Sequence, residues 1–252
     1  MPVGDTPSTD DSATPTDFDG LAPSGVTPGQ QGGKPMTVRL TFMCATAGGT
    51  TRDAVFGDGL LSERGLRRAR AAGATLPPYS LAIRAPSVRC AQTAYALGLP
   101  TTLEPALRDL DYGTWRGRTV GEVVADEPYG YSAWLTDPDA APHGGESVRR
   151  LCRRIANWLS SVPPYPGRAL VITEPSVVRA SLVHALSAPV TAFRHFDVPP
   201  LSTVSLTLSD GHWIVRPGRV TPDRVGTSRA VPTPYDAAEG RTALLWGEAT
   251  PA

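Results

Sequence analysis

Cysteine is scarce in this chain of 252 residues. Cys44, Cys90 and Cys152 are odd in number and scattered, which excludes a disulfide framework and zinc-type ligand spacing. Lysine is nearly absent: Lys34 is the only one, and the other basic residues are arginines. With abundant Ala, Gly and Pro, this reads as the codon bias of a GC-rich genome. An excess of either charge is also missing, because Lys+Arg 24 balances Asp+Glu 24. A neutral chain is a poor partner for nucleic acid or an anionic membrane, both of which select positive charge. No apolar run approaches the ~20 residues of a membrane span. The start Met1-Pro2-Val3-Gly4-Asp5 lacks the basic and apolar regions of a secretory leader. These absences predict a soluble, cytoplasmic protein with no metal and no cofactor.

What is present is a core. Hydrophobic residues make up 40% of the chain, enough for one globular domain, while Gly 25 and Pro 26 point to irregular flanks. Residues 1–35 hold mostly Asp, Ser, Thr, Pro and Gly and cannot bury enough apolar surface to offset the entropy of ordering. They are expected to be disordered. A domain over 36–217 and a Pro/Gly-rich tail over 218–252 follow. Val38 to Met43 predicts a first buried strand, and Leu61 to Ala72 a helix with Ser62 as its cap. Ser80 to Ile83 predicts a strand and Ser87 to Leu97 a helix. Val148, Leu151, Cys152, Ile155 and Leu159 recur at helical spacing within 147–160. Ala169 to Thr173 is an apolar strand followed by a helix over 176–186. Two further strands, Thr203 to Leu208 and Trp213 to Val215, meet at the hairpin signal Asp210-Gly211. Alternating strands and helices imply a sheet with helices on its faces.

Four stretches in order carry a resemblance to the histidine phosphatase (phosphoglycerate mutase-like) superfamily. Leu61-Ser62-Glu63-Arg64-Gly65 is similar to that family's L-T-x-x-G helix start. Pro86 to Ala94 resembles its S-P-x-x-R-x-x-Q-T-A segment. Leu107 to Gly117 resembles L-R-E-x-D-F-G-x-W-E-G, and Gly144-Gly145-Glu146-Ser147 matches G-G-E-S. The resemblance implies a three-layer α/β/α domain with a mostly parallel central sheet, helices on both faces and a site at the C-terminal strand ends.

The family's chemistry rests on an Arg-His-Gly motif after the first strand, a second Arg, a second His and a proton-donating Glu. Mapped onto this chain, Cys44 stands for the motif Arg and Ala45 for the phosphate-accepting His. Glu174 stands for the second His and Asp109 for the proton donor, while Arg89 is retained. His143, His184, His195 and His212 lie far from both strand ends. Exchanging an Arg for a neutral residue and a His for a Glu disfavours a bound dianion by several kcal/mol at an effective dielectric near 20. Phosphoryl transfer is therefore the last-ranked expectation. The first is a repurposed enzyme of isomerase, lyase, dehydratase or cyclase type. In it Glu174 and Asp109 exchange protons with a small molecule oriented by Arg89. The alternative is a non-catalytic pseudophosphatase that binds a ligand or a protein partner.

Individual residues carry competing readings. Arg89 is an anion anchor or the ion-pair partner of Glu174. Asp109 is a general acid or a solvated loop carboxylate. Cys44 is a strand-end nucleophile or a thiol that packs as a small hydrophobe, and with Ala45 and Thr46 it is expected in the substrate-binding set. Arg52 reaches the pocket from its loop or stays on the surface. His143 lines the pocket mouth or sits in a surface loop, and Glu146 contacts substrate or supports the helix start at Ser147. The implied partner is a small molecule in the former phosphate pocket, with a protein partner able to use the tails.

Overall fold

The computed structural model describes residues 37–46, 55–164 and 167–218. The segment 1–35, nearly all of the tail over 218–252, and Arg52 lie outside the described residues. Six strands form one sheet in the order β3-β2-β4-β1-β5-β6. β1 (Val38–Cys44) and β4 (Ala169–Thr173) pair in parallel at its centre, with β2 (Leu81–Arg84) and β3 (Thr102–Leu103) continuing in parallel beyond β4. β5 (Thr203–Ser209) and β6 (His212–Pro217) are antiparallel and complete the sheet on the far side of β1. The fold is the expected α/β sheet with its helices.

Burial explains this order. All five side chains of β4 are buried, alternating to both faces, so apolar material covers the strand on each side. Such a strand belongs in the sheet centre. Residues of β5 and β6 are mostly half-buried or exposed, as suits the hairpin at the sheet edge. Asp210 (φ 52°) and Gly211 (φ 78°) both turn left-handed between them, the geometry a two-residue hairpin requires.

The helices begin where the sequence supplies caps. Ser62, Ser87 and Ser147 each accept from the backbone N–H three residues on, opening α1 (Glu63–Gly73), α2 (Val88–Ala96) and α5 (Val148–Ser161). Caps of this kind contribute ~1 kcal/mol each. α5 buries Leu151, Ile155 and Leu159 and leaves Arg149, Arg150 and Arg153 outside. Sequence periodicity alone missed β3, α3 (Val120–Asp126) and α4 (Pro128–Thr136). α3 and α4 are short, and α4 buries only Tyr131 and Trp134, so neither develops a readable apolar stripe.

These short elements sit in a connection over 104–146 that packs beside the strand ends. Its core is aromatic: Phe56, Tyr112, Trp115, Tyr131 and Trp134 stack with ring centroids 5.2–6.4 Å apart. Two loops cross within it at van der Waals distance. Glu146 N–H donates to Asp111 O at 2.8 Å and Thr114 N–H to His143 O at 2.9 Å. Gly145 is required there, since a Cβ on it would overlap Asp111 O. We predict that Gly145→Ala costs about 2 kcal/mol or more, as forced overpacking does. Urea unfolding should show a lower midpoint, and an unchanged midpoint would mean the loop crossing yields freely.

Candidate functional site

The expected site lies where β2 and β4 end and α2 and α6 (Pro175–Ala185) begin. Glu174 is the N-cap residue of α6 and is only 1% exposed. Both its oxygens are occupied. Arg89 Nη1 donates to Oε2 at 3.2 Å, while Ser87 Oγ at 2.7 Å and Cys90 Sγ at 3.6 Å donate to Oε1. Ser87 serves two elements at once, because its Oγ also accepts the Cys90 N–H that caps α2. The Arg89–Glu174 ion pair is the one the sequence reading anticipated.

A short strap closes over it. Arg89 Nη2 donates to Gly57 O at 2.8 Å, and the Asp58 carboxylate accepts the Val88 N–H at 2.6 Å and the Arg89 N–H at 3.2 Å. Burial lowers the Arg89 pKa, yet Glu174, Asp109 and Asp58 outweigh it and hold the guanidinium above its ordinary value. Arg89 Nε is buried without a hydrogen-bond partner.

Asp109 approaches from the other side. Its Oδ1 accepts from Ser176 Oγ and from the Leu110 N–H at 2.8 Å. Burial pushes its pKa up to about 7 and the nearby Glu174 adds to this, against Ser176, Arg89 and Leu110. The carboxyl therefore exchanges a proton near neutrality. Arg179, one helical turn beyond Ser176, also lines the cavity and donates through Nε to Phe196 O at 2.7 Å. The cavity that remains among these groups has a volume of about 20 Å³. That is room for about one water molecule and far too little for a metabolite.

Arg89, Asp109 and Glu174 thus come together, and Cys44, Ala45, Thr46, His143 and Glu146 do not line this cavity. Cys44 Sγ turns to the carbonyls of Ala45 (3.4 Å) and Val198 (3.8 Å). Ala45 continues the sheet through its N–H to Thr173 O, and Thr46 bonds the Thr93 hydroxyl at 3.3 Å. His143 is neither at the pocket mouth nor on the surface. It is 1% exposed, packs 5.0 Å from the Trp115 ring, and accepts the Gly145 N–H on Nδ1. Burial holds its pKa below the ordinary value, which keeps the ring neutral. Glu146 is held by Arg154, whose Nε and Nη2 reach its two oxygens at 2.9 and 2.6 Å. The pair ties the Gly144-Gly145 turn to α5, and Arg108 Nη2 stands 3.9 Å from Oε1 of the same carboxylate.

Sequence reasoning missed Ser87, Asp58, Ser176, Tyr112 and Arg179. A buried-side arginine three positions after Ser176, inside an otherwise apolar helix, was the one available signal for Arg179. Asp58 had none, since its partners are 30 and 31 residues away. Among the described residues, no three His, Cys, Asp or Glu side chains gather as a metal site. No helix among them is long and apolar enough to cross a membrane.

The comparisons with known proteins agree with this architecture. The family model of the histidine phosphatase superfamily (branch 1) matches residues 54–218, so this chain belongs to that superfamily. It is 32% identical over 171 residues to a glucosyl-3-phosphoglycerate phosphatase of Mycobacterium tuberculosis, covering 61% of this chain and 75% of that protein. It is 23% identical over 147 residues to an adenosylcobalamin/alpha-ribazole phosphatase of Salmonella typhimurium, covering 55% and 73%. Among solved structures, mycobacterial glucosyl-3-phosphoglycerate phosphatase superposes with a TM-score of 0.62 at 22% identity, over 71% of this chain and 97% of that one. At this identity the likeness speaks for the fold.

The comparisons correct the first-ranked functional expectation. The named relatives are phosphatases, and none is an isomerase, lyase, dehydratase or cyclase. The site gives that expectation no support either. Three donors take both oxygens of Glu174, and both donors to Asp109 reach Oδ1, so its Oδ2 is left with a cavity of only about 20 Å³.

Two stability predictions follow from the geometry. Asp109 titrates near 3.8 when unfolded and near 7 when folded, so the folded chain holds a proton that the unfolded chain releases. That contribution is complete below about pH 4 and is lost as pH rises through about 7. Asp109→Asn should match wild type near pH 4 and exceed it at pH 8 by ~1–3 kcal/mol in chemical denaturation. A pH-independent difference would refute the raised Asp109 pKa. Separately, Glu174→Gln should cost about 3–5 kcal/mol by stranding the Arg89 charge, and adding Arg89→Met should recover most of it. Additive losses in that cycle would show the two residues to be energetically independent.

Proposed function

We propose that this chain is a superfamily member whose phosphate centre is filled from within by a carboxylate, and that it does not run the two-histidine phosphoryl transfer. One observation carries the reading: Glu174, at the end of β4, holds Arg89 at 3.2 Å in a space that leaves only about 20 Å³. A phosphate dianion entering beside that carboxylate at ~4 Å meets a repulsion of several kcal/mol at an effective dielectric near 20. Covalent transfer also needs a nucleophile. The residues after β1 are Ala45 and Thr46, and the nearest thiol, Cys44, points to backbone carbonyls. The family match begins at residue 54, after β1, which supports the reading that this end of the site departs from the family pattern.

A second reading is favoured by a different observation. Identity of 32% to a glucosyl-3-phosphoglycerate phosphatase, spanning 75% of that protein, supports hydrolysis of a phosphorylated small molecule. This would require the Gly57–Asp58 strap and Glu174 to swing out. The full chain assayed with p-nitrophenyl phosphate and 3-phosphoglycerate separates the two. We predict no rate above that of the Arg89→Ala variant and no acid-labile phosphoryl-enzyme after incubation with radiolabelled substrate. A rate that disappears in Arg89→Ala would establish the second reading and overturn the first.

A further inference from the structure

A separate groove lies at the other end of α6. From Glu174 to His184 the helix advances ten residues, about 15 Å at 1.5 Å per residue, so this groove is remote from the Arg89 cavity. Its volume is about 380 Å³. Cys152 and Ala156 on α5 face Val183 on α6 and the turn residues Ala188 and Val190, making an apolar floor. Polar groups stand around it: Arg149 and Arg153, one turn apart on α5, with His184 and Ser187 opposite. A mostly apolar depression of a few hundred Å³ with a few convergent polar groups is the usual constitution of a small-molecule site.

The arginines are differently prepared. Arg149 Nε donates to Asp139 at 2.6 Å, which orients the guanidinium and leaves Nη1 and Nη2 without a described partner. Arg153 is exposed and makes no ion pair with any described residue. No carboxylate lines the groove. Burial raises the Cys152 thiol to about 12, so it brings no negative charge. Burial also lowers the pKa of His184, leaving a neutral ring that lies edge-on to Trp213 at 6.5 Å. Ser187 holds a left-handed backbone (φ 50°) because it closes the C-terminus of α6, with its N–H donating to His184 O and the Ala188 N–H to Val183 O.

We propose that this α5–α6 groove binds a small organic anion, with an oxyanion head on Arg149 and Arg153 and an apolar body over Cys152, Ala156 and Val183. Two arginine forks favour an oxyanion over a neutral polar group, because charge-assisted hydrogen bonds are about twice as strong. The head is a carboxylate or a phosphate, and the probes distinguish them.

Amide NMR titrations of the full chain with benzoate, phenyl phosphate and benzyl alcohol test the assignment. Saturable shifts at 152, 156, 183, 184 and 188 are expected with one or both anions and not with the alcohol. The tighter anion identifies the head group. Arg153→Glu, on an exposed position, should weaken binding about tenfold or more, and Ala156→Phe should block it by filling the floor. Arg89→Ala should leave it unchanged, which separates this site from the phosphate centre. The proposal is overturned by an absence of saturable shifts, by benzyl alcohol binding as well as the anions, or by binding that survives Arg153→Glu.

Discussion

The buried pair of Arg89 and Glu174 is the constraint around which this end of the molecule is arranged. A guanidinium placed among strand ends and helix starts cannot stay unpaired, because stranding a buried charge costs several kcal/mol. In this chain the counter-charge comes from the protein. Glu174 supplies it from the N-cap of α6, and Ser87 and Cys90 complete its shell from the first turn of α2. One carboxylate therefore locks two helices and two strands in register. Asp58 does the same for the backbone donors at the start of α2, and the strap it belongs to lies over Arg89.

That arrangement changes what the neighbouring groups can be. Burial, with the nearby Glu174 adding to it, raises the Asp109 pKa to about 7, so the cluster carries two arginines, Glu174 and a carboxyl that titrates near neutrality. Placing two carboxyl groups in one low-dielectric space separates their proton affinities, a device many sites use for acid–base work. Here the raised carboxyl of Asp109 sits at a cavity of water size, and its consequence is a pH-dependent stability. Membership of a phosphatase superfamily, with named phosphatase relatives, sets the chemistry against which this internal pair has to be judged.

The α5–α6 groove illustrates a different balance. Its arginines sit on the solvent face of a helix whose opposite face is committed to the core through Leu151, Ile155 and Leu159. Amphipathic patterning places charge there for solubility alone. The turn after α6 converts that charged face into one wall of a depression, because Ala188 and Val190 close over Cys152 and Ala156. Arg149 and Arg153 acquire an apolar floor between them only through this packing.

How much was readable in advance follows the range of the interactions involved. Local rules carried β1, β4, α1, α2, α5, α6 and the Asp210-Gly211 hairpin, since periodicity, serine caps and turn chemistry act over a few residues. The order of motifs from Leu61 to Ser147 carried the fold and the superfamily, and with it the meeting of Arg89 and Glu174, 85 residues apart. The short elements α3, α4 and β3 were not legible, being too brief to develop a period. Nor were the places of His143 and Glu146. Their residue types suggested a pocket, yet tertiary packing buried one against Trp115 and gave the other to Arg154. Asp58 and the Gly57 carbonyl were invisible because only chain crossing brings them to α2. The sequence by itself determined the sheet and the helices. Only the tertiary structure decided that the space around Arg89 and Glu174 is closed, since the fate of a buried charge depends on which distant groups the fold brings within a few ångströms of it.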